Sequence, residues 1–253
     1  MRKLTAAVLV AGVTAMAGPV LAADLPYYPP VIDIPDVDYG YSGSFYLRGS
    51  AGLNALWAKE ANAYECVAPC GGLVVTQFPF VSMGYGYSVG AGFGFETGTG
   101  LRFDATLDYL GNEGLKVTKG PAYGARAGDY TVKLRSTLAL ANVYYDFSLG
   151  GSGYGYGAAG GAFGYVGAGA GVAFNHIDVS APAGVVVPSG ANTSAAAAAM
   201  VGVGYDFGAL VADVGYRGIY INQLSNSAPV PDHVWSDHNF VHEVRGTLRY
   251  RFN

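Results

Sequence analysis

Val81 to Glu96 reads Val-Ser-Met-Gly-Tyr-Gly-Tyr-Ser-Val-Gly-Ala-Gly-Phe-Gly-Phe-Glu. The odd positions, from Val81 through Met83, Tyr85, Tyr87, Val89, Ala91 and Phe93 to Phe95, are all apolar. The even positions are Ser or Gly until Glu96. Eight steps of a period-two alternation predict a β-strand, longer than the usual ~5–6 residues of a globular one. Its polarity matters more than its length. Bulky side chains opposite glycine would leave a soluble core with nothing to pack from the other side. They suit a wall whose outer face meets lipid and whose inner face is small or polar.

The same reading extends in both directions. Phe45, Leu47, Ala51, Leu53 and Trp57 alternate with Tyr46, Arg48, Ser50 and Asn54. Leu101 to Tyr109 sets Leu, Phe, Ala, Leu and Tyr against Arg102, Asp104, Thr106 and Asp108. At the end of the chain Val244, Leu248, Tyr250 and Phe252 face away from Glu243, Arg245, Thr247, Arg249 and Arg251. Four weaker segments complete the set. Tyr130 to Phe147 sets Lys133 and Arg135 inward and Leu134, Leu138 and Leu140 outward, with a bulge expected near Asn142. Phe163 to Phe174 sets Val166, Ala168, Ala170 and Val172 against glycines. Met200 to Phe207 turns Val201, Val203, Tyr205 and Phe207 outward. Leu210 to Tyr220 turns Leu210, Ala212, Val214 and Tyr216 outward, with Asp213 and Arg217 inward. That makes eight strands.

The fold class expected is therefore all-β, an eight-stranded antiparallel transmembrane β-barrel. A soluble barrel would carry its apolar face inward. Only a closed barrel satisfies every backbone group of strands in lipid. Tyr109, Tyr216, Tyr220, Tyr250 and Phe252 near strand ends suit aromatic girdles at the two membrane surfaces.

Composition agrees. The chain has 253 residues, 51% hydrophobic and only 13% charged, with 39 Gly and 20 Tyr. The charged share is about half that of a soluble domain. Fourteen basic against 18 acidic residues, net -4, argue against a nucleic-acid partner. Arg2 and Lys3, the apolar Leu4–Ala17 and Val20-Leu21-Ala22 predict a signal peptide over 1–22. A Pro-rich acidic segment over 23–43 follows, read as periplasmic, and then the barrel over 44–253. The apolar run Ala195–Gly204 stops at Asp206, too short for a spanning helix.

Short links at 96–100 and 207–209 predict turns at one end of the barrel, expected in the periplasm. Long links at 59–80, 111–129, 175–194 and 222–239 predict four loops outside the cell. The link at 149–162 departs from this rule, being long, Gly-rich and on the short-turn side.

Arg48, Arg102, Lys133, Arg135, Arg217, Arg245 and Arg249 are expected to share the lumen with Asp104, Asp108, Asp213 and Glu243. An eight-stranded barrel is just wide enough for side chains to fill, and buried charges must pair. An interlocked ion-pair plug is the expectation. A narrow water-filled passage beside the inward glycines is the alternative. Gly86-Tyr-Ser-Val-Gly90 matches a hydrolase elbow and Gly155-Tyr-Gly-Ala-Ala-Gly160 a dinucleotide loop. Neither has the helix its chemistry requires, so no enzyme and no cofactor are expected. Cys66 and Cys70 fall in the first long link, where a disulfide fits an oxidising compartment better than a metal site. His176, His233 and His238 fall in long links and His242 starts the last strand. With nearby Tyr they offer haem-type ligands, but solvated loop residues fit their spacing better.

Ala23-Asp-Leu-Pro26, Phe45-Tyr-Leu-Arg-Gly49, Ala141-Asn-Val-Tyr-Tyr-Asp-Phe147, Tyr165-Val-Gly-Ala-Gly169 and Asp213-Val-Gly-Tyr-Arg217 carry a resemblance. The chain resembles the small outer-membrane barrel proteins of alphaproteobacteria, relatives of the OmpA transmembrane domain and OmpX. The resemblance covers essentially the whole mature chain, and its motifs are structural. It implies a surface antigen of the Gram-negative outer membrane that stabilises the envelope. Its implied partners are outer-membrane lipid, lipopolysaccharide, the barrel-assembly machinery and surface ligands from a host or the environment. Some members of the family bind haemin or act as porins, so the alternative function is a narrow channel or a haemin or ligand receptor. Such barrels usually end on an aromatic residue, whereas Asn253 follows Phe252 here.

Overall fold

The computed structural model describes residues 43–66, 72–149 and 161–252. Ten strands lie in these residues: β1 (Ser44–Trp57), β2 (Glu60–Cys66), β3 (Leu73–Ser82), β4 (Gly84–Glu96), β5 (Leu101–Lys119), β6 (Gly128–Ser148), β7 (Gly161–Ser180), β8 (Gly190–Asp206), β9 (Leu210–Ser225) and β10 (Val234–Phe252). A single 3-10 turn, Pro121–Arg126, separates β5 from β6. The expected signal peptide and Pro-rich segment lie outside the described residues.

Eight of these strands close a ring in the order β1, β4, β5, β6, β7, β8, β9, β10, with β10 paired back to β1. Every pairing is antiparallel. β2 and β3 are continuations rather than additions. Trp57 of β1 faces Phe240, and five residues on, Asn62 of β2 faces Trp235, so the register on β10 is kept across the break. β3 likewise runs on from β4 along β5, with a one-residue shift between Phe80 and Ser82. The barrel thus has eight walls, two of them interrupted near residues 58–59 and at Met83.

Partners followed once around the ring show its stagger. Leu47 leads to Phe93, Ala105, Ala141, Ala170, Ala197, Tyr220 and Phe240, and so to Trp57, ten residues further along β1 than the start. A stagger of that size over eight strands tilts them by about 40° to the axis. All residues on this path face outward. Beside them lie exposed Phe45, Leu53, Val89, Phe93, Phe103, Leu107, Val166, Val201, Val214, Val244 and Leu248. The outward run from Phe45 to Trp57 rises by roughly 30 Å along the axis at ~3.3 Å per residue and that tilt, close to the ~25 Å apolar band of a membrane barrel. Rings collect at both edges. Tyr145, Tyr205, Phe207, Tyr250 and Phe252 rim the short-turn end, and Trp57, Tyr85, Tyr87, Tyr109, Phe174 and Phe240 rim the other.

The turns at the near end are tight for identifiable reasons. Between β4 and β5, Gly98 (φ 77°) and Gly100 (φ 92°) take left-handed backbone that side chains resist. The Thr97 hydroxyl donates to the Leu101 carbonyl at 2.9 Å. Between β8 and β9, Gly208 (φ 98°) donates its N–H to Asp206 Oδ1 at 2.7 Å.

The far end differs from the expectation of long loops. Most of residues 59–80, 111–129, 175–194 and 222–239 is strand, and the wall simply continues. The apolar-out pattern stops there, which is why the sequence reads as loop. The bulge expected near Asn142 is absent. β5 and β6 stay in register from Leu101–Tyr145 to Asn112–Leu134, and the break lies between Asn112 and Leu115 on β5.

Candidate functional site

The inward side chains of the near half form one connected network. Arg102 on β5 donates from Nε and Nη2 to the two oxygens of Asp146 on β6, at 3.1 and 3.0 Å. Its guanidinium lies 4.0 Å from the centre of the Tyr144 ring, with Tyr165 and Tyr46 at 5.6 and 6.0 Å. Asp104 accepts from Arg48 (2.7 Å), Tyr46 (2.9 Å) and Asn142 (2.8 Å). Arg48 also donates to the Tyr144 hydroxyl at 2.9 Å. One level further in, Arg217 bridges Asp108 at 2.6 Å and Glu243 at 3.0 Å, and Arg245 lies 3.9 Å from Asp108. At the near mouth Glu96 pairs with both Arg249 and Arg251, and Arg251 reaches Asp206 at 2.6 Å. Asp213 accepts from the Tyr165 hydroxyl at 3.2 Å and lies 3.7 Å from Arg249.

Paired charge is the only stable way to keep these groups out of water, because each ion carries a desolvation penalty of several kcal/mol. The glycines of the alternation make this possible. A Cβ at Gly90 would strike Asp108, at Gly92 Thr106, at Gly169 Asn142 and at Gly215 the Tyr165 hydroxyl. At these four positions the space that a Cβ would take is occupied by neighbouring side chains and backbone.

Nine of the eleven lumen residues read from sequence belong to this network: Arg48, Arg102, Asp104, Asp108, Asp213, Arg217, Glu243, Arg245 and Arg249. Lys133 and Arg135 do not. They stand on the outer face of β6, with side chains 38% and 57% exposed. Lys133 donates to Glu113 at 2.7 Å, and Arg135 lies 3.8 Å from Asp178, which also faces His176 at 3.4 Å. The inward residues of that stretch are Leu134, Leu138 and Leu140, all buried, where sequence reading had turned them outward.

The reason is that the strand changes sides chemically. Above the ion pairs the lumen is packed with Leu56, Leu110, Leu138, Leu140, Ile219, Ile221 and Val241. A belt of amides follows. Asn112 donates to Asn54 at 2.9 Å and Ser136 to Asn175 at 2.8 Å. Beyond it come Leu115, Leu134, Ile177 and Leu224, then a second cluster of Ala61, Ala63, Phe78, Val117 and Tyr130. At the far mouth Lys119 sits against Glu65, over the Phe78 and Tyr130 rings at 4.5 and 4.9 Å. Burial, with the Glu65 charge adding to it, pushes the Tyr130 hydroxyl above its ordinary pKa.

Sequence reading put Glu96, Arg251 and Tyr46 on inward rows but left them out of the expected network, and it missed Asp146, Tyr144 and Tyr165. Parity could have found Asp146 and Tyr144. Asp146 and Tyr144 share the inward row of Asn142, opposite Val143 and Tyr145.

Cys66 ends β2, and its expected partner Cys70 lies outside the described residues. His176 and His238 stand on strands rather than in loops, His233 lies just before β10, and His242 lies on the last strand as expected. His242 and His238 each share a 2.6 Å hydrogen bond with a tyrosine hydroxyl, of Tyr216 and Tyr220 respectively. Among the described residues no group of three or more His, Cys, Asp or Glu is placed to hold a metal ion.

No protein-family model matches the chain. No curated protein matches it either. Among solved structures, Neisserial surface protein A is similar over 83% of this chain and 99% of its own, at 19% identity and a TM-score of 0.49. The outer membrane protein OprG from Pseudomonas aeruginosa is similar over 86% and 100%, at 15% identity and 0.48. Ail, the attachment invasion locus protein of Yersinia pestis, is similar over 83% and 99%, at 12% identity and 0.38.

Proposed function

We propose that this chain is a resident outer-membrane barrel of a Gram-negative cell, and that its work is structural and surface-presenting rather than conducting. The short turns face the periplasm in this reading. The far half stands beyond the outer leaflet and presents four connections to the medium. Assembly by the barrel-insertion machinery belongs to the same reading.

One observation carries the non-conducting role: two unlike packings in series fill the lumen. An ion has to break Arg102–Asp146 and Arg48–Asp104 in the first, then cross a layer of Leu, Ile and Val with no polar partner. Either alone is a barrier, and a charge in the apolar layer is the more costly of the two. The heated and unheated gel mobilities of the refolded chain test the barrel. A compact, faster-migrating band is expected without heating. Planar-bilayer recording then tests the lumen. The expectation is a quiet membrane at ±100 mV, roughly the scale of a cell's membrane potential. Reproducible unitary steps would overturn the closed reading and make the chain a pore.

A further inference from the structure

Outside the lumen network, the cations of the barrel are distributed very unevenly. Apart from Lys59, every Lys or Arg of the far half lies on one hairpin: Lys116, Lys119, Arg126, Lys133 and Arg135 of β5–β6. The same stretch, 112–135, holds two acids, Glu113 and Asp129. On the opposite wall the outward positions at this level are Thr193, Asn222 and His238, with no Lys or Arg among them.

We propose that the outward face of this hairpin, through Lys116, Lys133 and Arg135, binds the phosphate-bearing headgroup of an outer-leaflet lipid. The inference rests on the outer-membrane reading above and adds a ligand class and a site to it. Position is the first argument. Along the outward row of β6, Arg135 and Lys133 come directly after Thr137, Ala139 and Ala141 of the lipid-facing belt. Thr137 is paired with Tyr109, whose ring meets Tyr87 at 6.3 Å on the aromatic rim. Side chains one and two steps beyond that rim stand where lipid phosphates lie, just outside the hydrocarbon.

Contiguity is the second. Lys116 is paired across strands with Thr131, two residues from Lys133, and Arg135 is paired with His176 on β7. These side chains form one patch across three strands. Availability is the third. Lys116 has no ion-pair partner among the described residues, and the nearest carboxylate oxygen to Arg135 is 3.8 Å away, beyond hydrogen-bond reach. Lys133 is held by Glu113 at 2.7 Å, an exposed pair that a phosphate has to share or displace. A guanidinium offers two parallel N–H groups to two phosphate oxygens, and the lysines add point charge. A phosphate carrying more charge than one carboxylate competes well for Arg135 against Asp178.

The test uses the full chain in phosphatidylcholine nanodiscs doped with diphosphoryl lipid A, or with the same lipid dephosphorylated. Retained lipid is read by native mass spectrometry. A Lys116→Gln/Lys133→Gln/Arg135→Gln variant should retain diphosphoryl lipid A on the order of a hundredfold less well, at about a fivefold loss for each of the three surface cations. It should match the parent for the dephosphorylated lipid. Lys59→Gln, a cation lost elsewhere on the rim, should change nothing. Millimolar inorganic phosphate should not compete, because the lipid anchors the headgroup at the site. Equal retention of the dephosphorylated lipid, equal loss with Lys59→Gln, or full competition by free phosphate each overturns the proposal. The unheated gel band of each variant is read in parallel. A parent chain without a compact band sinks the membrane reading itself, whereas a compact band with no phosphate preference sinks only this site.

Discussion

The two ends of β6 obey opposite rules. From Asn142 to Asp146 its inward side chains are Asn, Tyr and Asp, while Val143 and Tyr145 face out. From Val132 to Ser136 its inward side chains are Val, Leu and Ser, while Lys133 and Arg135 face out. One continuous, unbulged strand carries both. What changes is the outer solvent. In lipid the wall turns apolar side chains outward and pairs its charges inside. In water the same wall buries Leu and shows Lys, as any soluble barrel does. Under the proposed outer-membrane reading, the place where the pattern inverts is where the barrel would leave the hydrocarbon.

The largest test of this contrast is Arg102→Ala. Arg102 touches Asp146, Asp104 and three tyrosine rings, and its side chain is 2% exposed. Its removal leaves Asp146, among the described residues, with one cation contact, to Arg249 at 3.8 Å. Loss of one member of a buried ion pair costs about 3–5 kcal/mol. Denaturant unfolding of the barrel refolded in vesicles should show a loss of that size. Arg102→Met with Asp146→Leu should recover much of it, because removing both charges leaves neither unpaired. A loss under ~1 kcal/mol for the single variant, the scale of an exposed pair, would mean that water reaches these groups.

Next in size is a pair of outward lysines. Leu107 faces out from the belt, 59% exposed, and Ser180 faces out at the far end of β7. Leu107→Lys should cost about 2–4 kcal/mol at mid-bilayer. Ser180→Lys should stay within about 0.5 kcal/mol, as surface changes do. Unfolding in vesicles reads both. Similar costs at the two sites would abolish the proposed boundary between the halves.

The same contrast explains what the sequence revealed and what it hid. The near half was legible because Tyr85 to Phe95 and Leu101 to Tyr109 keep strict alternation under one rule. Arg48, Arg102, Asp104, Asp108, Arg217 and Glu243 followed by parity alone. Lys133 and Arg135 were misplaced by extending that rule past the membrane surface, where parity still holds but its meaning reverses. The far strands were read as loops for the same cause: Gly111–Lys119 and Asn175–Ser180 mix polar and apolar side chains without a lipid-facing row. Which carboxylate meets which arginine was never legible. Pairings such as Arg217 with Asp108 join strands that are not neighbours, and only the ten-residue stagger of the closed ring brings them level.

The smallest expected effect concerns the outer face alone. The Lys133 ammonium, hydrogen-bonded to Glu113 and close by, holds that carboxyl below its usual pKa. A depressed carboxylate stabilises the fold above its unfolded value, about 4.3 for Glu, and that contribution fades as pH falls through the lower folded value. Carbon-detected titration of Glu113 should give a midpoint below 4.3 in the parent, returning toward it in Lys133→Gln. Because the pair stands in water, 1 M salt, with a screening length of about 3 Å, should move the parent's midpoint the same way. A lumen carboxylate such as Asp104 should barely respond to that salt. If Glu113 also ignored salt and the loss of Lys133, its partner would be something other than a solvated lysine. The far wall would then not be the water-facing surface that its outward charges describe.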